Sequence, residues 1–283
     1  MQKILNFPIT KMVIGLALCL SIGLAGQSGT NKLLENTSLN KDSIELVSAW
    51  VLAILVLIIY KFLYGFYEKR KISELSTHNL AFNATAGILI GLILQSLIIY
   101  VMYLNKDFRI ISVNRFSDVL SSLLFWVAAA TTAEILFIGI VFRITEEKLG
   151  SWLALILFAI IFGALHFFTP NGNWVASFAI AMHAGFLLGA AYIYSRNLWF
   201  PIAIHFAWDF AQSRIFGATV NGTIMKSLLT TKIEGSKIIT GGYFGPHGSL
   251  QGGLFCLIAG ALIMRLSLKQ HKIIRPYWRA GVN

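Results

Sequence analysis

An all-α, polytopic membrane protein of about eight transmembrane helices is the fold class this sequence predicts, and three observations carry that reading. Of the 283 residues, 57% are hydrophobic and only 12% charged, about half the charged share of an ordinary soluble domain. Eight apolar stretches approach or exceed the ~20 helical residues needed to cross ~30 Å of hydrocarbon. The 23 lysines and arginines stand singly or in short clusters between those stretches, where they anchor loops at an anionic membrane surface. The net charge of +11 therefore points to the lipid bilayer. It does not point to nucleic acid, because no basic helix face with interleaved aromatics is present.

The stretches lie near 12–26, 44–66, 85–104, 117–142, 151–169, 174–195, 198–216 and 250–268. The first is short and follows Lys3 and Lys11, a pattern shared with cleaved secretory signals. The polytopic remainder favours a first membrane helix. With eight passes, 14 basic residues fall on one side and 9 on the other. That bias predicts a multi-pass cell-membrane protein with both termini cytoplasmic. The chain divides into N-terminal helices and loops (1–116), a central group of helices (117–216), an extended external loop rich in Gly, Thr and Ser (217–249), and a last helix with a basic tail (250–283). Cys19 and Cys256 sit in apolar stretches without CxxC spacing and read as small packing residues.

Ionisable side chains at membrane depth cost a few kcal/mol each and mark function by default. Of six histidines, His78, His247 and His271 fall in loops or tail, whereas His166, His183 and His205 fall in apolar stretches. Of twelve acidic residues, only Glu134 and Asp209 sit well inside one. His205 and Asp209, four apart, share a helix face. His183, in Ala-Met-His-Ala-Gly, reads as a helix-packing residue. A carboxylate and an imidazole in a dry cavity can activate water, and a second imidazole can donate to an oxyanion. Zinc held by the same residues is a weaker version, since the His-Glu-x-x-His spacing is missing; no cofactor is expected. Interhelical hydrogen bonding alone and a proton-relay or transporter role would use the same groups, although no repeated halves support a transporter.

Two motifs in order then resemble a known family: Phe162-Gly163-Ala164-Leu165-His166 and His205-Phe206-Ala207-Trp208-Asp209. They are similar to the second and third motifs of the CAAX-prenyl-protease and bacteriocin-processing (CPBP, Abi) family of intramembrane endopeptidases. The resemblance covers roughly 117–216 and implies a four-helix CPBP-like core with Glu134, His166, His205 and Asp209 as its catalytic set. The family's first motif, Glu-Glu-x-x-x-Arg, aligns on Ala133, Glu134 and Ile138. The resemblance makes the leading glutamate the base that activates water with the second-motif histidine, and Ala133 cannot serve. Counted along an α-helix, Arg143 lies opposite Glu134 and does not replace the lost arginine. The expectation is a protease fold with weak or absent proteolysis, binding a hydrophobic or lipid-modified peptide or a membrane protein. The alternative is an active endopeptidase in which Glu134 and His166 activate water while His205 and Asp209 hold the oxyanion.

Overall fold

The structure, a computed structural model, describes residues 7–169 and 171–279; Lys3, counted above at the N-terminal flank, lies outside the described residues. Helices begin where a first turn's free N–H groups find partners or are missing. Pro8 opens α1 (Pro8–Leu34), at the one position where its absent N–H costs nothing. Asn40 accepts from the Ser43 amide at 2.8 Å ahead of α2 (Lys41–Tyr67). After α3 (Leu80–Leu104) and a short strand β1 (Phe108–Val113), the chain descends as α4 (Ser117–Glu134). A π-helical stretch, Ile135–Phe142, links α4 to α5 (Arg143–Phe167). Gly150 breaks α5 with φ 76° and ψ 165°, a conformation that belongs to glycine. Asn173 caps α6 (Trp174–Ile180), which continues through π turns at Ala181–Leu187 into α7 (Leu188–Ser195). α8 (Trp199–Phe210) likewise ends in π turns, Ala211–Ile215. β2 (Leu229–Ile233), α9 (Lys237–Thr240) and α10 (Leu250–Lys269) complete the order.

Among the described residues, six helical stretches are long and apolar enough to cross a membrane. One of them, the 46-residue Ser122–Phe167, contains the Gly150 break and holds two of the expected spans. The shorter Trp199–Ile215 rod, α8 with its π turns, makes eight among the described residues. The outer faces stay apolar: Leu89, Ile93, Ile156, Ile160, Ile258 and Leu262 are all exposed, which in water would be a severe liability and in lipid is the expected state. The protein is an all-α polytopic membrane protein.

α8 runs through the middle of the bundle because small residues let its neighbours approach. A Cβ on Gly91 of α3 would lie 2.6 Å from the Ile204 carbonyl, and one on Gly87 2.8 Å from that of Phe200. At one end of the bundle the polar groups form a connected set. Arg143, 4% exposed, reaches Glu68 at 3.0 Å and Glu147 at 2.5 Å. Arg70 reaches Glu68 and Glu74, each at 2.7 Å, and Lys11 reaches Glu68 at 3.4 Å. Arg196 binds Glu146 at 2.6 Å and also donates to the Lys272 carbonyl. The start of α1 and the segment after α10 therefore sit at the same end.

The opposite end is closed by a two-stranded antiparallel sheet, Phe108 facing Ile233 and Val113 facing Leu229, with a bulge between Ile110 and Ser112. Stretch 217–249 is therefore more than the extended loop expected from its composition. It contains β2, α9 and two 3₁₀ turns, Gly242–Phe244 and Pro246–Gly248. Gly245, at φ 82°, folds its last part back into the bundle, where Phe244, His247 and Ser249 are buried. Ser249 then caps α10 by accepting from the Gly252 amide at 3.2 Å.

Candidate functional site

Glu134 is the last residue of α4, 3% exposed, and its Oε1 lies 2.6 Å from Nδ1 of His205. One turn along α8, Asp209 Oδ2 lies 3.2 Å from Nε2 of the same ring. The i, i+4 spacing read from the sequence thus becomes a direct contact, and His205 is clamped between two carboxylates. Each ring nitrogen faces one carboxyl oxygen, so the group sets two carboxyl groups against a single imidazole. The second oxygen of Glu134 is buried without a hydrogen-bond partner among the described residues. The site's accessible edge is the α8 side, where the side chains of His205 and Asp209 are 22% and 14% exposed.

His166, at the end of α5, is half-buried and points Nδ1 at the Phe162 carbonyl, 2.9 Å away. A carbonyl only accepts, so Nδ1 carries a proton and Nε2 is left without a partner among the described residues. Its ring stacks on Phe162 and meets the edge of Phe244 at 6.2 Å. Glu134, Asp209 and His205 are brought together; His166 makes no hydrogen bond or ion pair with any of the three among the described residues. The expected pairing of Glu134 with His166 is replaced by a pairing with His205.

Three further polar residues stand close to this set. His183 is 6% exposed and lies flat on Trp208, 4.1 Å away with 14° between planes, and edge-on to His205 at 5.9 Å. Gln212, fully buried on α8's π turns, gathers the folded-back loop. Its Oε1 accepts from Gln95 at 3.1 Å and from the His247 backbone amide at 3.1 Å. Its Nε2 donates to the Thr219 carbonyl at 2.6 Å and to His247 Nδ1 at 2.9 Å. The carbonyl and the amide at fixed ends leave one orientation for the Gln212 side chain, so His247 Nδ1 accepts and the ring proton sits on Nε2. Burial drives the His247 pKa down to about 4, against the pull of Asp209 and with help from His166 and His205. His247 is therefore neutral at pH 7.

Three of the four helices that present these residues loosen into π turns beside them: Ile135–Phe142 after Glu134, Ala181–Leu187 around His183, and Ala211–Ile215 after Asp209. Such wider turns are frequent at functional sites. They also change the register that an α-helical count gives. Ile138 is therefore no longer one plain α-turn from Glu134, and it is packed at 1% exposure. Arg143 ends in the ionic set at the bundle's other end. Among the described residues no three His, Cys, Asp or Glu side chains converge as a metal ion would need.

His247 and Gln212 were not legible as site residues. His247 stands in a Gly-Pro-His-Gly run that composition assigns to a loop, and Gln212 is uncharged. The available signal was the glycine density at 241–248 just before an apolar helix, which permits a tight return into the bundle.

Fold and site together define a multi-pass helical membrane protein with a carboxylate–imidazole cluster buried at membrane depth. Residues 115–211, about a third of the chain, match the family model described as Type II CAAX prenyl endopeptidase Rce1-like. Over this segment the chain is similar to the Rce1-like CAAX endopeptidase family, in agreement with the resemblance carried by the two histidine motifs. Neither a curated protein nor a solved structure matches the chain. Gln212 and His247 both fall outside the matched segment.

Proposed function

We propose that this protein binds a hydrophobic or lipid-modified peptide, or the end of a membrane protein, at the face formed by His166, His205 and Asp209, and hydrolyses it slowly or not at all. The observation that supports this most directly is the placement of Glu134. Its bonded oxygen is committed to His205, and among the described residues no carboxylate bonds to His166. Ala133, where the family resemblance puts the base, is half-buried and offers no proton acceptor. The binding groups remain: His247 offers an Nε2–H donor, and Asp209 offers an acceptor at the accessible edge.

A second reading, slow cleavage with Glu134 as the base, has one observation in its favour: the buried, unpartnered Oε2. An assay in proteoliposomes with a membrane-delivered fluorogenic peptide separates the two. General-base catalysis supplies roughly 10²–10⁴-fold. Ala133→Glu is expected to raise cleavage by a factor in that range, and His166→Ala in that background to remove the gain. Activity of the unaltered protein that Glu134→Gln abolishes would instead establish Glu134 as the base and overturn the binding reading. The proposed chemistry contains no metal, so chelation leaves any turnover of Ala133→Glu unchanged.

A further inference from the structure

At the end of the bundle that carries the ionic set, a cavity of about 410 Å³ opens between the start of α3, the α7–α8 turn and the segment after α10. Its lining holds Lys272 and Arg196, several hydroxyl and amide side chains, and no acidic residue. Arg196 is already neutralised by Glu146, so Lys272 supplies the uncompensated charge. Its ammonium spends one hydrogen on the Tyr194 carbonyl at 2.7 Å and retains two more.

The start of α3 adds a second source of positive potential. Asn79 adopts a left-handed conformation, φ 59°, and its side chain makes no capping bond; the first turn has no acidic residue. Leu80 N–H donates to Thr77 and Asn83 N–H to Asn79, which among the described residues leaves the Ala81 and Phe82 amides without acceptors at the positive end of a 25-residue helix. The third observation is independent of both. Asn83 is 8% exposed, lines the cavity, and its side-chain amide has no hydrogen-bond partner among the described residues. A ligand in this cavity would find that amide available for a hydrogen bond.

We propose that this cavity is a binding site for a phosphate group, held by the Asn83 amide, the free amides of the α3 first turn and Lys272. Free donors at a helix N-terminus with an ammonium alongside are suited to a phosphate. The phosphate can come from a phospholipid headgroup or from a free phosphate ion. Phe82, exposed beside the cavity, offers an apolar contact for an acyl chain. This proposal does not depend on the reading of the His205 site.

The test uses the full chain in a neutral sugar detergent, titrated separately with phosphatidylglycerol, diacylglycerol and inorganic phosphate, with bound ligand counted by native mass spectrometry. Saturable binding of one phosphatidylglycerol, with diacylglycerol failing to compete, is expected. Asn83→Leu and Lys272→Gln should each weaken it about tenfold or more, the usual worth of one charge-assisted or buried hydrogen bond. Lys272→Arg should stay within about threefold. Inorganic phosphate binding with the same dependence on both variants, and no added affinity for the lipid, would support the site with a soluble ligand. Lack of saturable binding to either phosphate probe would overturn the proposal, as would unchanged affinity in Lys272→Gln.

Discussion

Gly245→Ala tests whether the folded-back loop is held as described, because two separate costs fall on one atom. The residue sits at φ 82°, ψ −171°, a region that side-chain-bearing residues occupy at about 1–3 kcal/mol. The new Cβ would stand 2.0 Å from the Thr219 carbonyl oxygen and 2.9 Å from Gln212 Nε2. Both atoms belong to the hydrogen bonds that tie Gln212 to Thr219 and to His247. Losing those two, at about 0.5–1.5 kcal/mol each, brings the total to about 2–6 kcal/mol. If the loop opens locally, its amides exchange faster by the corresponding factor, about 30-fold at the low end. Hydrogen exchange read by mass spectrometry on peptides covering 241–249 measures this directly. The rest of α8 should keep its protection, which separates loop release from global unfolding. Protection of 241–249 unchanged within about threefold would refute the claim that Gly245 and Gln212 hold the loop. Weakened peptide binding in the same variant is the expected functional consequence, since His247 leaves with the loop.

Other outcomes follow from the same structure. His247 has its pKa lowered by burial from 6.5 to about 4, so the released loop binds the proton more readily than the docked one. Docking is therefore complete above pH 6.5 and weakens as the pH falls toward 4; between pH 7 and 5 the loss is about 2 kcal/mol, read as rate-corrected exchange in 241–249. Burial raises the Glu74 pKa, but bonds from Arg70 and Tyr60 outweigh it and hold it below the usual carboxylate range. Its stabilisation persists through that window and is lost only at lower pH, so acid should release the loop before it loosens the ionic end. Arg143→Leu removes the shared cation of Glu68 and Glu147, at a cost of about 3–5 kcal/mol for a broken buried pair, measured as a lower unfolding temperature in detergent. Ile138→Arg, which the family's first motif would suggest as a repair, puts a charge into a fully packed position and should abolish folding; a monodisperse, stable variant would show the packing there to be wrong.

The sequence made the bundle legible because lipid-facing and core residues alike must be apolar, so the spans stand out as runs bounded by basic loops. The His205–Asp209 contact was equally open to reading, since four residues on an α-helix bring side chains together wherever the helix packs. Three things escaped. Periodicity does not register π turns, and the α-helical count past Glu134 therefore misplaced Ile138. Pairing between helices is a tertiary matter: both His166 and His205 were available to Glu134, and only the packing of α4 on α8 selects His205. The third was β1, exposed along most of its length and paired with a strand more than 100 residues away, for which local pattern carries no signal.

The two charged systems of the bundle are kept apart along its axis, and this bears on how a ligand reaches the site. Arg143 and Glu134 are nine residues apart, about 13 Å of helical rise, with the apolar Ile135–Phe142 stretch between them. The ionic set balances three acids, Glu68, Glu74 and Glu147, against Lys11, Arg70 and Arg143, and is closed off by their mutual bonds. The Glu134–His205–Asp209 group instead sets two carboxyl groups against one imidazole, and its accessible edge lies on the half of α8 nearer the sheet. Thr231 of β2 donates to the Phe216 carbonyl just past that helix, at 3.0 Å, and the His247 loop descends from the same side. On the proposed reading, a ligand that approaches His205 from this end meets the folded-back loop first, and for a hydrophobic or lipid-modified chain end the least costly approach is one in which its apolar part stays in the bilayer.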